Sequence, residues 1–257
     1  MHYLSRVEEY YKLLILVPVG VMAGFINTVA GGGSLLSLPV LIFMGLPTAM
    51  ANGTNRVAIF LQNVSGIAGF KSKGVSVFPY SLWLGISALL GAIIGAKISV
   101  NLDDKTFNHI IALVIVGVVL LTVFNPHKKT NGTDEDLSPR ARIIGAFSFF
   151  FVGIYGGFIQ AGVGFIIMGS LSYINKLSLV KVNSIKVFVV FVYTISALVV
   201  FILEDQINWL YGLVLAGGNM TGAWIASRWS VEKGDKWIKR FLMVTATALA
   251  IKLWFYG

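Results

Sequence analysis

The sequence contains no cysteine, and its three histidines (His2, His109 and His127) stand far apart. Disulfides, thiolate catalysis, iron–sulfur clusters and thiolate zinc sites are excluded together, and a histidine metal site lacks the clustering it needs. Charge is scarce as well: only 12% of the 257 residues are charged, against about 25% in a soluble domain. So little charge cannot coat a water-facing surface, which excludes a soluble enzyme. Acidic residues are the rarest class, 11 against 20 lysines and arginines, for a net charge of +9. In a soluble protein that excess would suggest nucleic acid. What the chain has instead is apolar character, with 56% hydrophobic residues and a mean hydropathy of +0.82. The basic residues must therefore be placed first against a lipid bilayer, and no nucleic-acid partner is expected.

Uncharged apolar runs of about 20 residues cross a bilayer as helices, because each backbone amide must be bonded within the segment. Ordinary spans are predicted near 52–70, 75–96, 106–124, 183–203, 206–227 and 237–256. Two other stretches do not divide so cleanly. Residues 13–55 hold 43 uncharged positions, interrupted by Gly31-Gly32-Gly33, Pro39 and Pro47. Residues 143–175 hold 33, interrupted by Ala161-Gly162-Val163-Gly164. The second is too long for one helix and too short for two full crossings. The segment 34–46 would cover only about 20 Å of a hydrocarbon core ~30 Å thick. Each stretch reads as a long helix, a Gly-rich break inside the membrane, and a short helix. Glu8, Glu9, Tyr10 and Tyr11 precede the first apolar run and no cleavage pattern follows it, so it does not read as a secretory signal. The polar segment 125–142 reads as a cytoplasmic linker between residues 1–124 and residues 143–257.

Those two parts match without a gap at an offset of 131 residues. Gly91–Val100 lies over Gly222–Val231, Ala30, Gly31 and Gly33 over Ala161, Gly162 and Gly164, and Asn52 over Asn183. Asp104-Lys105 lies over Asp235-Lys236. Agreement of glycines, an asparagine and a charged pair points to duplication. Five hydrophobic segments per repeat make the second start on the opposite side, an inverted topology. One face then collects 14 basic residues and the other 6. The richer face is expected to be cytoplasmic, leaving both termini extracytoplasmic.

Helices break inside a bilayer where the bare backbone faces protein or a water-filled cavity. The freed amides at a helix start suit an anion. Gly31, Gly32 and Gly33, followed by Ser34 as cap, supply one such start, and Gly162 with Gly164 the other. Under inverted symmetry the two meet near the midplane. Gly91, Gly95 and Gly222 read instead as packing positions between helices. Polar residues recur at helical spacing in the third segment of each repeat: Asn52, Asn55, Gln62 and Gly66 share one face, with Arg56 and Asn63 beside it. Asn183, Ser184, Lys186, Tyr193 and Thr194 occupy the matching stretch. Such residues at depth suggest a pathway, although Arg56 and Lys186 could equally snorkel to opposite interfaces. Asn27, Thr28 and Gln160 adjoin the breaks. Acidic residues are missing at depth, Glu204 and Asp205 lying near a span end, so an anion path fits better than a cation path. No cofactor and no metal is implied, and no acid, base and nucleophile gather at one depth as an enzyme would need.

Gly24-Phe-Ile-Asn-Thr-Val-Ala-Gly-Gly-Gly-Ser34, then Leu38-Pro39, then Ala51-Asn-Gly-Thr-Asn55 resembles the first-half signature of the sulfite exporter TauE/SafE family. The second part departs from it, with Gly162-Val163-Gly164 for a fuller glycine run and Asn183-Ser184-Ile185-Lys186 for a Gly-Thr element. The resemblance implies an inner-membrane carrier exporting sulfite or small organosulfur anions such as sulfoacetate. Carried over by position, it implicates Asn27, Gly31, Gly32, Gly33, Asn52, Thr54 and Asn55. The expectation is an all-α polytopic membrane protein of two inverted repeats that binds a small anion between the breaks and works by alternating access. A passive anion channel and a carrier of non-sulfur carboxylates or oxyanions stay open at this point, as does the oligomeric state.

Overall fold

The computed structural model describes residues 2–76, 78–124 and 135–256. The stretch 125–134, most of the expected linker, lies outside the described residues. Every regular element among the described residues is a helix. The elements are α1 (His2–Ala30), α2 (Ser34–Phe43), α3 (Thr48–Ser72), α4 (Tyr80–Val100), α5 (Asp104–Phe124), α6 (Pro139–Phe158), α7 (Val163–Ile174), α8 (Leu179–Leu203) and α9 (Trp209–Tyr256). Gly234, at φ 70° and ψ −176°, divides α9 into two legs, 209–233 and 235–256.

Among the described residues, four stretches are long and apolar enough to cross a membrane: Glu9–Ala30, Tyr80–Val100, Pro139–Phe158 and Leu179–Leu203. Two match ordinary spans expected from sequence, and two are the long arms of the interrupted stretches. α3 is as long as α8 but carries Asn52, Asn55, Arg56, Gln62 and Asn63, all buried. Those polar side chains face inward while Ile143 (71% exposed) and Phe147 (68%) face outward. A molecule with polar groups inside and large apolar groups outside has lipid as its solvent.

Local chemistry sets the helix ends. Ser138 caps α6 by accepting from the Ala141 amide (3.3 Å), with Pro139 in the first turn. The start of α3 has no cap from its own sequence, since Pro47 precedes it. Asp104, at the start of α5, supplies one: its carboxylate accepts from the Thr48 amide (3.0 Å) and from the Thr48 hydroxyl. Asp235 does the same for α8, accepting from the Leu179 and Val180 amides (2.9 and 3.1 Å). Donors and acceptors in these two caps stand 131 positions apart. α3 and α8 also begin 131 positions apart and both run 25 residues. Left-handed backbone recurs at the same spacing, at Gly31 and Gly162, Gly45 and Lys176, and Gly74 and Asp205.

Helix packing is closest at glycine. A Cβ at Gly91 or Gly95 of α4 would land on the α6 backbone at Phe150 or Ile154, and one at Gly222 of α9 would land on α1 at Val21. The expected packing role of these three glycines is what the structure shows: backbones touch where small residues let them. On one face, Lys73 just past α3 pairs with Glu232 of α9 at 2.6 Å. The hydrogen bond from Lys73, and then its charge, hold the Glu232 carboxyl below the usual glutamate value. A carboxyl whose pKa is depressed by folding stabilises above its unfolded pKa and loses that contribution as pH falls. Glu232→Gln should therefore lower the thermal midpoint slightly near pH 7, and the difference should shrink as the pH falls through the folded-state pKa, the pair being at least partly exposed. A difference that persists in acid would mean that the substitution acts through something other than this pair.

Candidate functional site

The two helix breaks meet. Gly31 lies against Gly164 so closely that a Cβ on either would overlap the other's backbone. Gly31 (φ 81°) and Gly162 (φ 74°) hold left-handed conformations that glycine adopts without steric cost. After Gly31 the chain turns directly into α2, and Gly33 rather than Ser34 occupies the cap position. Ser34 therefore does not cap this helix. Its hydroxyl is buried without a partner, and the amides of Gly32, Gly33 and Ser34 find no backbone acceptor among the described residues. Gly32 faces the Phe165 ring of α7, and Gly33 packs on α1 at Ala23 and Asn27.

Each break also ends a long helix whose last carbonyls need donors. Arg56 serves the end of α6. Its guanidinium donates to the carbonyls of Gly156 (2.6 Å) and Gly157 (2.8 Å), to Gln160 Oε1 (3.1 Å) and to Asn52 Oδ1 (3.4 Å). It also lies over the Phe201 ring, 5.5 Å from the centroid. Asn52 completes this cap by donating to the Phe158 carbonyl at 2.8 Å and to Ser99 Oγ at 2.9 Å. Lys186 serves the end of α1, donating to the Thr28 carbonyl (2.8 Å) and Asn183 Oδ1 (2.7 Å), while Asn183 donates to the Val29 carbonyl (3.1 Å). A cation suits the negative end of a helix dipole. The alternative of snorkelling is overturned: Arg56 is 0% and Lys186 2% exposed. Each finds carbonyls inside the protein and has no need to reach the interface.

The remaining expected residues divide by surroundings. Asn55 accepts from Ser37 Oγ (2.7 Å), which ties it to the first turn of α2, while its Nδ2 has no partner. Gln160 accepts from Arg56 and from Tyr193 Oη (3.0 Å), leaving its Nε2 free. Thr28 gives its carbonyl to Lys186 and keeps an unpartnered hydroxyl. Asn27 donates to Gln62 Oε1 (3.3 Å), which Asn219 of α9 also reaches (3.2 Å). Thr54 turns the other way, its hydroxyl accepting from the Asn208 amide at 2.9 Å. Ser184 is buried on α8, one residue from Asn183.

Ser37, Asn219, Asp104 and Asp235 escaped the sequence reading as functional positions. Ser37 stands one turn after Gly33, a spacing that marks it; the Asp104 and Asp235 caps were visible as a repeated Asp-Lys pair without a role. No cluster of three or more His, Asp or Glu side chains suited to a metal occurs among the described residues.

The model of the sulfite exporter TauE/SafE family matches residues 16–253. This chain belongs to that family. The TauE/SafE protein described here is similar to a "probable membrane transporter protein ORF9" of Sinorhizobium sp, with 24% identity over 95% of this chain and 93% of the relative. It is 27% identical to a probable membrane transporter protein of Haemophilus influenzae over 95% and 97% of the two chains. It is 26% identical to the probable membrane transporter protein YfcA of Escherichia coli over 93% and 88%. No solved structure matches. The TauE/SafE chain is thus a membrane transporter, in keeping with the apolar spans among its described residues.

Proposed function

We propose that this TauE/SafE transporter exports small sulfur-containing anions, such as sulfite or sulfoacetate, by alternating access across the inner membrane. One observation carries the reading. Ser34 Oγ, Asn55 Nδ2, Arg56 Nε and Gln160 Nε2 are buried, without a partner among the described residues, and held by residues at or bonded to the two helix breaks. Buried polar groups are nearly always satisfied. A set of four, each able to donate, suits the oxygens of a sulfite or sulfonate. Among the described residues, the buried polar side chains include Arg56 and Lys186 but no Asp or Glu, which favours an anion over a cation. The amides of Gly32–Ser34, without a backbone acceptor among the described residues, add donors of the kind that bind anions at helix starts.

The paired caps, paired left-handed residues and equal lengths of α3 and α8 support two repeats related by duplication, residues 1–124 and 143–257. In this reading their topologies are inverted and one moves against the other around the shared site. The face with 14 basic residues is cytoplasmic and the termini are extracytoplasmic.

The test is flux into liposomes of sulfite, sulfate, sulfoacetate, taurine and acetate, in wild type and Asn55→Asp. That variant keeps the acceptor for Ser37 and replaces the free donor with a carboxylate oxygen. A lost hydrogen bond to a charged group is worth about 1.5–3 kcal/mol, so transport should fall roughly 10- to 100-fold with the folded protein retained. Sulfur-anion flux at the wild-type rate in this variant would sink the site. Equal flux of acetate and sulfoacetate would sink the substrate class.

A further inference from the structure

A groove of about 260 Å³ opens where α4, α6 and α8 begin, and none of its lining residues belongs to the helix breaks. Phe78 and Trp83 flank it, 64% and 66% exposed, with Leu177 and Ile185 behind them. Arg142 and Lys181 bring two positive charges to the same lining, and Glu135 brings one negative charge. Glu135 is already engaged, gripping Lys181 through both carboxylate oxygens at 2.7 and 2.9 Å. Among the described residues, Arg142 donates through its Nε alone, to the Leu137 carbonyl at 2.9 Å. The outer edge of its guanidinium remains for an anion.

Two apolar stripes start at this groove. On α4, Trp83, Ile86, Leu90 and Ile94 follow one another at helical spacing, all at least 44% exposed. On α6, Ile143, Phe147 and Phe151 do the same, beginning at the residue after Arg142. At ~1.5 Å per residue the α4 stripe runs about 17 Å, the depth of one leaflet of a ~30 Å core. We propose that the groove holds the phosphate headgroup of an anionic phospholipid against Arg142, with its acyl chains lying along the α4 and α6 stripes. A free phosphate or sulfonate would use the arginine but has nothing to place on the stripes. Aromatic side chains at headgroup level belong to the same arrangement.

The basic character is not a requirement of the fold. At the 131-residue offset, Tyr11 stands for Arg142 and Met50 for Lys181. The corresponding groove on the other part would therefore carry neither cation. The site is a feature of one face, the face richer in lysine and arginine.

The test is quenching of Trp83, taken as wild type minus Trp83→Phe, in vesicles containing brominated phosphatidylglycerol or brominated phosphatidylcholine at equal mole fraction. A single basic residue at a membrane surface is worth about 1 kcal/mol, so the anionic lipid should be favoured about fivefold. Arg142→Gln should abolish the preference, and Glu135→Gln, which frees Lys181, should raise it. Inorganic phosphate should not displace the lipid. Equal quenching by both lipids, a preference unchanged in both variants, or displacement by phosphate alone would each overturn the assignment.

Discussion

Replacing Arg56 with methionine is expected to destabilise the protein by about 2–6 kcal/mol, whatever it does to transport. The figure follows from the two carbonyls that lose their donor, Gly156 and Gly157, at 2.6 and 2.8 Å from the guanidinium. A buried acceptor left unsatisfied costs about 1–3 kcal/mol. Removing a buried charge recovers part of that cost. Arg56→Lys should fall between wild type and Arg56→Met, because a single ammonium cannot reproduce the planar fork that reaches both carbonyls. Lys186→Met should cost less than Arg56→Met, since one backbone carbonyl, that of Thr28, depends on Lys186. Thermal unfolding in detergent, followed by the fraction still monodisperse, measures the order. If Arg56→Met loses transport at an unchanged midpoint, the side chain serves the anion directly and its role as a helix cap is wrong.

The second large effect is expected at Gly31. Alanine there suffers twice, from the left-handed backbone at φ 81° and from overlap with Gly164. Gly45→Ala isolates the first cost, because Gly45 is left-handed (φ 99°) with nothing within 4 Å. That substitution should cost about 1 kcal/mol. Gly164→Ala isolates the second, since Gly164 lies inside α7, and overpacking of this kind typically costs about 1–3 kcal/mol. Gly31→Ala should then lose about 2–4 kcal/mol, more than either control. Equal losses at Gly31 and Gly45, read from the same thermal midpoints, would mean that the two breaks do not press on one another.

Much of this was legible in sequence, and particular residues show why. Gly31-Gly32-Gly33 interrupted an uncharged run too long for one helix, and glycine in a membrane helix is conspicuous against leucine and valine. Asn52 and Asn183 stood out because buried amides are costly in lipid. Partners were not legible. Nothing in the spacing said that Arg56 would reach Gly156 and Gly157, 100 residues away, because that contact depends on how α3 and α6 pack. Arginine near a helix end reads equally well as interfacial, and only burial separates the two. The cap on α3 was hidden for the same reason: Pro47 and Thr48 offer no local carboxylate, and the one that serves comes from Asp104. α3 gives up apolar character to its buried polar face, and that exchange is what a site inside a membrane protein requires.

The helix caps impose a schedule on biosynthesis. Asp104 reaches α3 and Asp235 reaches α8 after only 56 further residues in each case, so those starts are satisfied soon after synthesis. The ends of α1 and α6 are served differently. The Thr28 and Val29 carbonyls await Lys186 and Asn183, more than 150 residues downstream, whereas Arg56 and Asn52 are already in the membrane when α6 arrives. During translation the end of α1 must therefore wait, bare in lipid or held by the insertion machinery, until α8 is made.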